Sequence, residues 1–234
     1  MAIKQLKNMN VIWVAVAIAA CSQTDPPENS EKVKPEDYYP LVDGATWTYA
    51  HSSKGGWEET VTMARSEDDS DIFVVSDTPN PDEESTESDL KRNGTSVYRI
   101  SKVVFQNGEP QFSVKYDPGF LRFDAAWLEE DISHADTRNY KRIKTETGQS
   151  PEDAQDREHI FIVQSLNEKL VVRGETFRNC VRIKREKEVA IDETDSNQSD
   201  EQEKLFWFAP RVGKIREENL TTENFEELVD YDIP

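Results

Sequence analysis

The chain reads as an all-β domain, mainly antiparallel, forming a single curved sheet or half-barrel with few short helices. Three observations carry that expectation. Apolar and polar residues alternate at a period of two along many short stretches. These stretches follow one another closely, separated by turn residues. No long amphipathic helical pattern lies between them, which argues against a sheet built from βαβ crossovers.

The first strand is marked by Trp47 and Tyr49 alternating with Thr46 and Thr48. Trp57, Val61 and Met63 then share one parity, with Glu58, Thr60 and Thr62 on the other. Residues 72–75 are a short apolar run, and residues 97–105 are β-branched and aromatic. Asn107-Gly108 predicts a tight hairpin, returning through Phe112, Val114 and Tyr116. Further strands are expected at 120–123, 140–145, 159–166, 170–172, 177–189, 205–209, 214–219 and 228–233, making about ten to twelve in all. Leu205-Phe206-Trp207-Phe208-Ala209 is apolar on both parities, so it should be buried on both faces. Helical spacing is limited to residues 125–135, where Leu128 and Ile132 stand four apart, and to a single turn at 222–227. Three polar inserts, 77–93, 148–157 and 192–203, read as exposed hairpin loops.

The first twenty residues have a different pattern. Lys4 and Lys7 precede an apolar run at 11–20, and small residues close it. That order is a charged region, an apolar core and a cleavage site. The run is half the roughly 20 residues a spanning helix needs. The boundary Ile18-Ala19-Ala20-Cys21 resembles the lipobox of bacterial lipoprotein precursors. The resemblance implies cleavage between Ala20 and Cys21 and lipid on the Cys21 sulfur. Two or three acyl chains hold a protein firmly, since each buried CH₂ contributes about 0.8 kcal/mol. The organisation expected is a signal peptide at 1–20, a lipid anchor with flexible tether at 21–37, and the β domain at 38–234. Ser22 follows the anchor where an inner-membrane retention signal would carry Asp, which leans towards the outer membrane.

Composition narrows the function classes. Acids outnumber bases 47 to 28, for a net charge of −19. Such a surface repels nucleic acid and anionic headgroups, so no nucleic-acid partner is expected. With Cys21 lipidated, Cys180 has no partner in its own chain. Strict alternation puts Cys180 beside Arg178, Arg182 and Lys184, opposite Phe177, Val181 and Ile183. Cationic neighbours would activate the thiol; a small buried hydrophobe is the commoner role for a free Cys.

Motifs for catalysis and cofactors are missing. There is no nucleophile elbow, phosphate loop or dinucleotide fingerprint, and no cofactor is expected. Asp195, Asn197 and Ser199 alternate like calcium ligands, but no Gly follows to make the turn. His51, His134 and His159 form no short-spaced pair, so no metal site is expected. Glu129-Glu130-Asp131 beside Trp127 offers paired carboxylates of the kind used in glycan hydrolysis. The aromatics Trp47, Trp57 and Trp207 are candidates to line a ligand groove, with a place in the core as the alternative.

Three stretches together resemble a broad set of uncharacterised bacterial envelope lipoproteins. They are Tyr38-Tyr39-Pro40-Leu41-Val42 with Gly44, Trp47 and Tyr49; Gly174, Phe177, Cys180 and Val181; and Leu205-Phe206-Trp207-Phe208-Ala209-Pro210-Arg211-Val212-Gly213 with Ile215. The resemblance implies an open half-barrel like the lipoprotein carriers and receptors of the outer-membrane sorting system. Arg211 stands where the pattern has Gly. Gly44 and Gly213 suit turns of positive φ. The function expected is that of a non-enzymatic, membrane-anchored binding module for an envelope protein or a hydrophobic ligand. A glycan-directed hydrolase and a passive structural lipoprotein are the alternatives.

Overall fold

The computed structural model describes residues 34–53, 55–130, 132–188 and 203–234. The expected signal peptide, Ala20, Cys21 and most of the acidic run at 192–203 lie outside them. Residues Val33–Pro234 form one compact unit. It opens with a 3₁₀ turn, Pro35–Tyr38. Twelve strands follow among the described residues: β1 Thr46–His51, β2 Glu58–Arg65, β3 Ile72–Asp77, β4 Glu84–Asn93, β5 Ser96–Gln106, β6 Glu109–Asp124, β7 Ala135–Glu146, β8 Gln155–Val172, β9 Glu175–Glu188, β10 Lys204–Ala209, β11 Gly213–Asn219 and β12 Phe225–Asp232.

Every strand pairs antiparallel with its neighbours in sequence, and β12 returns to β1. The sheet is therefore a closed up-and-down barrel, which corrects the expected half-barrel. Closure runs from Thr46↔Asp232 to His51↔Glu226, across a register shift between Thr48 and Tyr49. Further shifts interrupt β5–β6 and β8–β9. Bulges of this kind raise local twist and bend, which lets a sheet curl shut. Closing the ring removes both exposed edges. Strand positions such as Glu58, Lys115, Lys141, Lys169 and Asp230 are exposed, the reverse of the apolar outer band of a membrane-spanning barrel. No described helix is long and apolar enough to cross a membrane.

Local sequence accounts for most turns. Asn107 and Gly108 have φ of 54° and 76°, and Gln106 pairs with Glu109, as the twist-matched two-residue hairpin requires. Gly213 has φ 94°, and a Cβ there would lie 3.4 Å from Pro40. Arg211, at the Gly position of the family pattern, itself takes φ 65°, the left-handed region Gly would adopt freely.

Two helical expectations fail. Residues 125–135 give only the 3₁₀ turn Ala125–Glu129, held by the Asp124 carboxylate accepting from the Ala126 amide at 3.0 Å, before β7 begins. Residues 222–227 run instead into β12. The polar insert at 77–93 is largely strand, because β4 turns Thr86 and Ser88 inward and Asp77 accepts from the Thr86 hydroxyl at 2.6 Å. The insert at 148–157 ends in the start of β8.

Two apolar clusters fill the unit. One joins Trp47, Tyr49, Met63 and Leu90 to Phe177, Cys180, Trp207 and Ile215. The other packs Tyr38, Phe123, Trp127, Phe161, Ile183, Phe206 and Phe208. β10 supplies both, Trp207 to the first and Phe206 and Phe208 to the second, so its two-sided burial is as its sequence predicts.

Candidate functional site

An eight-stranded barrel has room only for its own side chains or one small ligand, and interior space grows with strand number. The twelve strands here leave a cavity of about 180 Å³ in the lumen. From β1 to β4, Trp47, Val61, Met63, Val75 and Leu90 give it apolar surface, with Glu59, Asp77, Thr86 and Ser88 among them. Phe161, Ile183, Phe206 and Phe208 from β8 to β10 face it with Trp127. Trp47 is held by its indole N–H donating to the Val212 carbonyl at 2.6 Å. Tyr49 donates its hydroxyl to the Lys214 carbonyl at 2.9 Å.

The same wall carries four cationic side chains, Arg99 on β5, Arg122 on β6, Arg185 on β9 and Lys214 on β11, against two acids, Glu59 and Asp77. Arg122 and Arg185 approach one ring: their guanidinium carbons lie 5.7 and 5.4 Å from the centre of Phe120. Arg185 also lies 4.9 Å from the centre of Phe206. Arg99 stands opposite Phe120 in the β5–β6 pairing. The Nε atoms of all three arginines are buried without a hydrogen-bond partner. Burial, and then repulsion from Arg122, pulls Arg99 down to about 10. Burial also brings Arg185 to about 10, with Glu217 opposing and Arg122 and Arg99 adding to the fall.

The nearby carboxylates are already engaged. Glu217 accepts from Lys204 at 2.6 Å and from Lys214 at 3.0 Å. Burial would raise its pKa, but Lys214, Lys204 and Arg185 outweigh burial and hold it well below the usual carboxylate range. Asp77 is raised by burial, although both its oxygens accept from Thr86. Glu59 pairs with His51 at 3.2 Å.

His51, Glu59 and Glu226 come together from three strands, their ligand atoms within 4.8 Å of one another. Sequence spacing concealed this cluster because two of its members are carboxylates. His51 turns Nε2 to Glu59 and Nδ1, at 3.7 Å, to Glu226, and Lys214 also binds Glu226. With the two carboxylates facing opposite ring nitrogens, the arrangement fits an ion-pair network better than a converging metal shell.

No protein-family model and no curated protein matches the chain. Solved structures do. A Bacteroides fragilis protein described as an exported protein candidate with a YmcC-like fold aligns over 83% of this chain and 98% of its own, at 11% identity and a TM-score of 0.47. A lipoprotein candidate from Parabacteroides distasonis aligns over 83% and 98%, at 14% identity and a TM-score of 0.38. The hypothetical lipoprotein YmcC of Escherichia coli aligns over 83% and 89%, at 10% identity and a TM-score of 0.35. These likenesses are too distant to transfer a function.

Of the predicted groove aromatics, Trp47 lines the cavity. Trp57 instead stacks on His51, ring centres 4.6 Å apart. Trp207 is buried in the first apolar cluster, its indole N–H 3.4 Å from Glu168. Glu129 and Glu130 are exposed, and Asp131 lies outside the described residues. Cys180 is wholly buried, and burial pushes its thiol up to about 11. It shares a cluster with Phe177, contrary to strict alternation, because Asn179 takes φ 56° and shifts the register. The three lumen arginines were missed. Their signal is faint: Arg99 and Arg122 each sit between apolar neighbours, Tyr98 and Ile100, Leu121 and Phe123.

Proposed function

We propose that this chain is an envelope lipoprotein, anchored by lipid on Cys21 after cleavage at Ala20, whose barrel binds a hydrophobic ligand in its lumen. The cavity carries the reading: its wall is mostly aromatic and aliphatic with a few convergent polar groups, the usual make-up of a ligand site. The short apolar run, the small residues before Cys21 and the polar residues after it support the anchor. Ser22 supports the outer membrane as the destination. The lumen acids, bound by Thr86, His51 and the lysines, favour binding over hydrolysis by paired carboxylates.

Two measurements test this. Cells fed labelled palmitate should transfer label to the wild-type chain and not to Cys21→Ser. The full chain should enhance the fluorescence of N-phenyl-1-naphthylamine, a neutral apolar dye, and Leu90→Trp, which fills the cavity, should abolish the enhancement. A dye signal indifferent to Leu90→Trp would remove the lumen from the reading.

A further inference from the structure

We infer that the lumen ligand is a single-chain amphiphile with an anionic head, the head held by Arg99, Arg122 and Arg185 and the chain lying against Trp47, Met63 and Leu90. This rests on the lumen-binding reading above and names the class of ligand.

The three arginines lack a full set of acceptors. Arginine side chains are seldom buried without a counter-charge, because an uncompensated charge away from water is costly. Here three of them line one cavity, and although Arg99 also bonds Tyr116 and Arg122 bonds Tyr39, each keeps a buried Nε that no protein atom accepts from. The guanidinium is a rigid fork of donors suited to carboxylate and phosphate oxygens. Glu217 offers Arg122 and Arg185 partial compensation, but its two oxygens accept from Lys204 and Lys214, so one carboxylate serves two lysines before it faces the guanidinium groups. Phe120 and Phe206 give Arg185 aromatic faces to rest on, which orient a cation but supply no formal charge. The missing partner is an oxyanion.

The rest of the wall sets what the oxyanion is attached to. Trp47, Val61, Met63, Val75 and Leu90 have no free donor to offer, and the Thr86 hydroxyl beside them is given to Asp77, so a bare anion would leave this apolar surface unused. A volume of about 180 Å³ is on the scale of the ~150 Å³ cavity that takes benzene. It admits one hydrocarbon chain rather than two. Phosphate and carboxylate heads share the chemistry, and the test separates them from a free anion.

The full chain in nonionic detergent is titrated calorimetrically with octyl phosphate, octanoate, 1-octanol and inorganic phosphate, with detergent-only titrations subtracted. Octyl phosphate and octanoate should bind at least about tenfold more tightly than octanol, since a charge-assisted hydrogen bond contributes that much or more. Arg99→Gln and Arg185→Gln should each erase most of that advantage while leaving octanol binding unchanged. Arg122→Lys, which keeps the charge and loses the fork, should weaken the octyl phosphate complex less than either. Lys141→Gln, on an exposed strand position, should change nothing. Equal binding of octanol and octyl phosphate, unaffected by the arginine variants, would overturn the anionic head and leave the apolar lumen standing. Inorganic phosphate binding as tightly as octyl phosphate would overturn the acyl chain. No binding by any of the four, in a chain of native circular dichroism, would overturn the lumen reading itself.

Discussion

Replacing Arg99 with Met should make the free protein more stable. The substitution keeps an unbranched side chain of similar reach and removes a guanidinium that burial and Arg122 bring down to about 10. A base whose folded pKa lies below its unfolded one opposes folding wherever it is charged in both states. At pH 7 that opposition is complete, and it fades only as pH rises through about 10 towards the value of a free guanidinium. The shift corresponds to about 3 kcal/mol. That figure is a ceiling, because Arg99 keeps part of its surface open to the lumen and solvent screens it. Losing the hydrogen bond to Tyr116 offsets about 1 kcal/mol more. The expected net gain is about 1–2 kcal/mol, within the range seen when buried charges give way to apolar groups. For a domain of this size each kcal/mol moves Tm by about 2–4 °C, so thermal denaturation at pH 7 without ligand should show a rise of roughly 2–8 °C. A Tm lowered by the same amount would mean that the fold already compensates Arg99 and that no counter-ion is missing there.

Other sites give sharper signs. Glu217→Gln removes the negative charge between Lys204 and Lys214 and one of the two oxygens they bind, and should cost about 3–5 kcal/mol, read by urea denaturation. Because the folded Glu217 pKa is depressed, its contribution is present above the unfolded value of 4.5 and lost as pH falls through the folded one, so the wild type should lose more stability there than Glu217→Gln, in which other depressed carboxylates such as Asp124 still titrate. Cys180, raised to about 11 by burial, should resist a thiol reagent at pH 8 until the chain is unfolded; labelling of the native chain at the rate of an exposed thiol would contradict its place in the core. Gly108→Ala puts a Cβ at φ 76° and should cost about 1–2 kcal/mol, without altering ligand binding.

Much of the fold is legible in the sequence because a period of two records which face of a strand meets the core. The hairpin at Asn107-Gly108 and the doubly buried β10 belong to that class. β4 does not, because its inward Thr86 and Ser88 meet a polar stretch of lumen and leave no apolar stripe to read. The 3₁₀ turn at Ala125–Glu129 carries one turn of helical spacing, and nothing in the residues after it signals that a strand begins at Ala135. Alternation also breaks wherever the backbone takes an extra residue, and Asn179 moves Cys180 to the side of Phe177 in this way. Closure itself depends on the β1–β12 register, a pairing across almost the whole domain that no local pattern encodes. The arginines were invisible for a different reason. Charged residues on strands are assigned to solvent by default, and the lumen of a wide barrel is a second place to put them.

That second place gives binding and stability opposite demands. The chain carries a net −19, yet its cavity presents Arg99, Arg122, Arg185 and Lys214 against Glu59 and Asp77. A barrel selected for stability alone would place apolar side chains there, as the rest of the wall does. An anionic ligand reverses the balance by supplying the counter-charge. Bound at one hundred times its Kd, a ligand stabilises the protein that binds it by about 2.7 kcal/mol. The wild type should take that gain in full from octyl phosphate, while Arg99→Met should take little of it. The order of the two melting temperatures should therefore cross, with the variant higher in buffer and the wild type level or higher at saturating octyl phosphate. Parallel curves, with the variant ahead at every ligand concentration, would show that Arg99 takes no part in binding and that its burial answers to something other than an anion.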